Sequence, residues 1–429
     1  MPNRLVPDPN RRMTSRRAFV FTSVATGLHS SGFLPSVRGA TDSSTFKRIA
    51  AVVTVYRKNS HADVLVGKIL EGWKQDGGVG PSLKLVSMYV DQIGSDDLSM
   101  GLSKKHGFRL CKTIRESIEL DTGNVSVDGV LSVGEHGNYP VNPLGQHLYP
   151  RRRFFSEITQ VFEDRGRVVP VFNDKHPGPE LQDAVWMAER ARALKIPWMA
   201  GSSLTVGERT PDVTLPFGSS LQSCIAVGYS GLDIYGFHTL DFLQCIVERR
   251  VTKHQGVERV HGLPLSMLRS FLNNNHIDQE LLHLTLASSG TSLDRILADA
   301  QSLDSNQHAL FVIRYLDGLV VPVLMLDSYA KSISIGWRDG ANKLLVTRAE
   351  EKPEPRYPHF AYLLKGIEQM IYTGKPAYPV ERTLIAAGIL DRGLRSLQLG
   401  REQETPELQI DYTPIDYPNA PKIDLLKTY

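Results

Sequence analysis

Cysteine is scarce in this 429-residue chain. Cys111, Cys224 and Cys245 are too few and too scattered for a disulfide framework or a thiolate metal site, and are expected as small core residues. Long apolar runs are also missing, since no stretch reaches the roughly 20 residues a helix needs to cross a bilayer. Charge of one sign is missing from the body of the chain. Residues 1–40 carry six Arg and one Asp, leaving 43 basic against 45 acidic residues beyond them. That balance gives no electrostatic reason to expect nucleic acid or an anionic membrane as a partner. The one basic cluster in the body, Arg151-Arg152-Arg153 ahead of Phe154-Phe155, reads as an exposed first helical turn. No internal repeat or low-complexity tract occurs.

The basic start has an organisation of its own. Ser15-Arg16-Arg17-Ala18-Phe19-Val20 is a twin-arginine pattern, followed by a mildly apolar stretch from Phe19 to Leu34 and small residues at Gly39-Ala40. This order reads as an export signal over residues 1–40, too short and too polar to anchor, and it predicts an extracytoplasmic, periplasmic location.

From Phe46 onward, short β-branched runs alternate with amphipathic segments. Strands are expected at Arg48–Tyr56, Leu83–Val90, Phe108–Cys111, Gly129–Val133, Val168–Phe172 and Ile196–Gly201. Helices are expected between them, including Ala62–Trp73 with Ser60 as N-cap, Arg153–Arg165 and Pro179–Leu194. The pattern predicts a Rossmann-like, doubly wound parallel sheet over 41–204. Such a fold holds a dinucleotide on a glycine-rich turn after its first strand. Here that turn is Tyr56-Arg57-Lys58-Asn59-Ser60-His61, without glycine. Arg57, Lys58 and Ser60 are candidates to meet an anion at the helix terminus, and Asp91, after the second strand, stands where an acid would meet a ribose.

Chemistry in open α/β sheets gathers at the carboxyl ends of strands. Two such ends are rich in reactive side chains. Gly134-Glu135-His136-Gly137-Asn138 follows Val133, and Glu135 or His136 can serve as acid or base. Asn173-Asp174-Lys175-His176-Pro177 follows the fifth strand and offers Lys175.

Residues 205–220 read as a linker. An α+β domain with a largely antiparallel sheet is expected over 205–400, with strands near 256–263, 309–316, 319–326 and 332–337 and a hairpin turn at Asp317-Gly318. Helices are expected at 278–288 and 293–301, with Pro358–Tyr372 and Val380–Leu399 closing this domain. An exposed face of its sheet would suit a homo-oligomer, and residues 401–429 read as an extended tail. His238 and Asp241, three apart, share a helical face.

The order of these segments resembles the glucose–fructose oxidoreductase/inositol 2-dehydrogenase (Gfo/Idh/MocA) family. Phe172-Asn-Asp-Lys-His-Pro177 is similar to its E-K-P segment, with Glu changed and one residue inserted. Gly231–Leu243 is similar to its D-x-G-x-H-x-x-D segment. The resemblance implies an active-site lysine at Lys175 and an active-site histidine at His238. The family aspartate falls on Ile234, one place from Asp233, and Asp241 stands three beyond the histidine. It also implies NAD or NADP as cofactor, a carbohydrate or polyol as small-molecule substrate, and hydride transfer in a crevice between domains. The glycine-free turn leaves a second expectation, of a non-redox carbohydrate-active or carbohydrate-binding relative.

Overall fold

The computed structural model describes residues 46–429, and the twin-arginine segment lies outside the described residues. The first layer is built on six parallel strands. In chain order its elements are β1 (Lys47–Val53), α1 (His61–Glu71), β2 (Leu83–Val90), α2 (Ser99–His106), β3 (Arg109–Cys111), α3 (Ile114–Glu119), β4 (Gly129–Val133), α4 (Arg151–Arg165), β5 (Val171–Asp174), α5 (Leu181–Leu194) and β6 (Trp198–Gly201). The strand order is β3-β2-β1-β4-β5-β6, and every pairing is parallel. Successive side chains alternate across a strand, so β1 feeds two cores at once. Ile49, Ala51 and Val53 pack towards α1, while Ala50 and Val52 pack towards α3 and α4. A strand buried on both faces reads as a continuous apolar run, which is why β1 and β4 stand out in the sequence.

The second half begins with β7 (Arg209–Thr210) and β8 (Leu221–Gly228), followed by α6 (Ile234–Val247), β9 (Val257–Leu263), α7 (Leu268–Asn274), α8 (Gln279–Ser288) and α9 (Leu293–Asp299). Then come β10 (His308–Tyr315), β11 (Val320–Leu326), β12 (Ser334–Asp339), β13 (Leu344–Ala349), α10 (His359–Thr373), α11 (Val380–Leu399) and β14 (Gln403–Glu404). Eight strands pair in the order β14-β9-β10-β11-β8-β12-β13-β7. β11 and β8 run parallel, and the other pairings are antiparallel. The Asp317-Gly318 turn joins β10 to β11 as expected, with Gly318 at a φ of 89° that favours glycine.

Three expectations need correction. The sheet does not offer a bare face for an oligomer over β8, β10 and β11. Cys224, Ala226, Phe311 and Val323 face α6 and α11, while Ile225, Val227, Leu310 and Leu324 are covered by Leu268, Leu281 and Ile296 of α7, α8 and α9. The helix expected at Pro358–Tyr372 does not belong to this second layer. Phe360, Leu363, Leu364 and Ile367 of α10 pack on the first sheet with Ile49 and Val53. The triple-arginine turn is not wholly exposed either, because Arg151 is 1 % exposed. The tail beyond 400 is largely irregular as expected, and Leu408, Ala420 and Ile423 bury it against the body. No helix among the described residues is long and apolar enough to cross a membrane.

Candidate functional site

Four strand or helix ends meet around one cavity of about 450 Å³. The end of β5 supplies Lys175, the loop after β4 supplies Glu135 and His136, the start of α1 supplies His61, and α6 supplies Tyr235 and His238. Glu351, Tyr357, His359 and Phe360 close it from the segment leading into α10. The sequence-predicted Lys175, His238, Glu135 and His136 are therefore brought together. Thr54, at the end of β1, fastens the β4 loop: its hydroxyl donates to the Glu135 carbonyl at 2.5 Å and accepts the Glu135 N–H at 3.2 Å.

Lys175 is held, not free. Its Nζ lies 2.8 Å from Glu135 Oε1, and Arg151 Nη2 lies 2.7 Å from Glu135 Oε2. Arg151 also donates from Nε to the Gly134 carbonyl at 2.9 Å and reaches His176 Nε2 at 3.0 Å. Burial alone would raise the Glu135 carboxyl, but the Lys175 and Arg151 charges override it and hold the group well below the usual carboxylate range. Lys175 and His136 both have φ in the left-handed region, at 60° and 67°. Non-glycine residues hold that conformation at a cost, and such positions cluster at functional sites.

The histidines differ in their partners. His61 Nδ1 lies 2.7 Å from Asp174 Oδ2, and its ring stands edge-on to His136 and to Phe360. His238 Nδ1 lies 2.6 Å from Ser202 Oγ. Burial, then the charge of Lys175, pushes His238 well below the usual histidine range. Burial pushes His136 down to about 4 and His359 down to about 3. Both ring nitrogens of His359 are buried without a partner among the described residues.

His359 therefore makes stability depend on pH. A histidine kept neutral in the native chain takes up a proton on unfolding, so its contribution is complete above the unfolded value of 6.5 and is lost as pH falls towards about 3. His359→Phe is expected to flatten the acid-side fall in stability between pH 6.5 and about 5, by up to about 1.4 kcal/mol per pH unit. Urea titrations of both proteins across that range check it, and parallel curves would contradict it.

Asp233 and Asp241 do not line the cavity. Asp241 is fully buried and accepts the Ser202 N–H at 2.8 Å, with Arg382 Nε 3.7 Å away. Together with His238 it grips Ser202, so the shared helical face fixes the end of β6 to α6. Asp233 accepts the His147 N–H at 3.0 Å. Burial raises both carboxyls.

The residues expected to hold a dinucleotide do not fit one. Ser60 caps α1 by accepting the Asp63 N–H at 3.3 Å. The terminus that would face a pyrophosphate already carries a carboxylate: Asp63 accepts the Asn59 N–H at 2.8 Å and pairs with Arg356 at 2.7 Å. A phosphate there would have to displace the Asp63 carboxylate and the Ser60 hydroxyl from these N–H groups. Asp91 is equally committed, bound by Tyr89 at 2.6 Å, Tyr139 at 2.7 Å and Arg153 at 2.5 Å. Burial opposes its ionisation, and these three partners still hold it below the usual carboxylate range. Gln92 and Asn138 exchange two hydrogen bonds, tying the loops after β2 and β4 together. Arg57 is half exposed, 3.9 Å from Asp96, and Lys58 is exposed.

Sequence reading missed His61 as a cavity residue, Asp174 as its partner, and Arg151 as a buried one. His61 and Asp174 are 113 residues apart. Their signal was positional: Asp174 ends β5, and His61 opens the helix that follows β1.

No protein-family model matches the chain, and no curated protein matches it in sequence. Solved structures match its fold. GenD2 from gentamicin A biosynthesis, in complex with NAD, is 12 % identical with a TM-score of 0.55, over 87 % of this chain and 99 % of that one. Apo scyllo-inositol dehydrogenase from Lactobacillus casei is 9 % identical at 0.52, over 84 % and 98 %. Myo-inositol 2-dehydrogenase from Lactobacillus plantarum is 11 % identical at 0.50, over 83 % and 99 %. The chain thus has the two-layer fold of these dehydrogenases, a parallel Rossmann-like sheet followed by a mostly antiparallel one.

Proposed function

We propose that this protein is an exported enzyme, a divergent relative of the Gfo/Idh/MocA proteins, that carries out acid–base chemistry on a sugar or polyol without a dinucleotide. One observation carries the reading: Lys175 and His238, from opposite halves of the chain, line the same cavity of about 450 Å³. A concave site of that size suits a small molecule. His136, His238 and His359 offer neutral rings to hydroxyl groups, and Val64, Leu204 and Phe360 supply apolar surface for C–H faces. Lys175, with its charge fixed by Glu135, stabilises negative charge developing on a substrate oxygen. No step is routed through a nicotinamide, because the α1 terminus and Asp91 are occupied by the protein's own groups.

A second reading, an NAD(P)-dependent oxidoreductase on the same substrate class, is favoured by the shared fold and by a polar hollow of about 470 Å³ beside Tyr56, Arg57, Gln92 and Asn138. One experiment separates the two. A panel of aldoses, ketoses and inositols is incubated with the protein in D₂O and followed by proton NMR, with and without added NAD(P). Deuterium incorporation or product formation without nicotinamide is expected. Turnover only when NAD(P) is present contradicts the first reading, and no turnover in either arm removes catalysis on this panel.

A further inference from the structure

The hydrogen bonds around the cavity give its two best-placed histidines opposite roles. Asp174 is 2 % exposed, and its Oδ2 lies 2.7 Å from His61 Nδ1. A carboxylate only accepts, so the proton sits on His61 Nδ1 and the lone pair is on Nε2. His238 is arranged the other way. Its Nδ1 faces Ser202 Oγ at 2.6 Å, and that hydroxyl already accepts the Leu204 N–H at 3.1 Å. No other acceptor for the hydroxyl proton is present among the described residues, so Ser202 donates to His238 Nδ1 and His238 carries its own proton on Nε2. Neither Nε2 has a protein partner among the described residues, and both rings line the cavity with Lys175.

We propose that His61, oriented by Asp174, is the general base of this site, and that Lys175 and His238, which line the same cavity, are its oxyanion-stabilising groups. This rests on the acid–base reading above and narrows it to a carbonyl-bearing sugar. His61 Nε2 takes the proton from the carbon next to the carbonyl. The C–H electron pair forms the C=C bond of an enolate, and the carbonyl oxygen takes the negative charge. The Lys175 ammonium and the His238 Nε2–H donate to that oxygen. Return of the proton from His61 to the carbon it left gives back the sugar or its epimer; return to the former carbonyl carbon, with the neighbouring hydroxyl passing its proton to the former carbonyl oxygen, gives the isomer, so atoms and electrons balance without an oxidant. One base and two donors are what enolisation requires. Asp174 is a positioning residue, since it reaches the substrate only through His61.

The test reads the tautomers directly. Protein labelled with ¹⁵N-histidine gives long-range ¹H–¹⁵N correlation spectra, with His61→Gln and His238→Gln assigning the two rings. His61 is expected as the Nδ1–H form and His238 as the Nε2–H form. Asp174→Ala is expected to shift His61 to the Nε2–H form preferred by an unconstrained imidazole, with His238 unchanged. His61 found as Nε2–H in the unaltered protein overturns the assignment, as does a His61 signal indifferent to Asp174→Ala. This measurement needs no substrate, so its failure leaves the turnover test of the broader reading intact. On a sugar identified by that test, His61→Gln is expected to lower kcat by about 10²–10⁴-fold with KM little changed. An unchanged kcat removes the base.

Discussion

Replacing Arg151 by methionine is expected to lower the unfolding free energy by about 3–5 kcal/mol, the range for breaking a buried ion pair from one side. Arg151 is 1 % exposed and touches three acceptors: the Gly134 carbonyl, Glu135 Oε2 and His176 Nε2. Methionine matches the stem but leaves all three short of a donor. Arg151→Lys should recover only part of the loss, because an ammonium lacks the planar fork that spans the three. Urea denaturation measures both. A change in Arg151→Met below about 1 kcal/mol, the ordinary effect of a point substitution, would contradict the buried cluster.

The second large effect concerns turnover. Lys175→Met is expected to lower kcat on a sugar found in the deuterium screen by about 10²–10⁴-fold. Its stability cost should be smaller than that of Arg151→Met, because among the described residues the Lys175 side chain bonds Glu135 alone, whereas Arg151 also holds the Gly134 carbonyl and His176. The two variants therefore separate: one mainly unfolds, the other mainly stops. The cavity's shape is set by apolar neighbours and by the Thr54 clamp on the β4 loop, so loss of the ammonium removes charge without removing the cavity. Kinetics and urea curves on one preparation check both halves. A Lys175→Met protein that keeps full activity would remove the lysine from the chemistry.

How far the sequence reveals this arrangement depends on what kind of contact is involved. β4 is legible to the residue because it is buried on both faces, and β2 because Leu83, Leu85, Met88 and Val90 keep it apolar around an exposed Lys84. β8 is not, although it is central to the second sheet: it opens with Leu221-Gln222-Ser223, and its buried part is only Cys224–Gly228. β13, Leu344–Ala349, ends in Thr-Arg-Ala and is half-buried, so its alternation is weak. Lys175, Glu135 and His136 are legible as candidates because reactive side chains at strand ends have few structural uses, and His238 through the resemblance of Gly231–Leu243 to a family segment. Their partners are not, since hydrogen bonds such as His61 to Asp174 join residues distant in sequence and leave no periodic trace. Arg151 shows the converse failure. A run of three arginines looks solvated, yet the first turns inward while Arg152 and Arg153 stay at the surface. The helical face of His238 and Asp241 was read correctly as a face, but its two residues divide between the cavity and the anchoring of Ser202.

The account stands on an α1 terminus closed by Asp63 and Arg356 and on Asp91 held by three partners. Calorimetric titration with NAD⁺ and NADP⁺, together with mass spectrometry of the supernatant from denatured protein, tests it most directly. No released nicotinamide and no saturable binding up to about 1 mM are expected. Stoichiometric nicotinamide in the supernatant, or saturable binding at micromolar concentration, would contradict it.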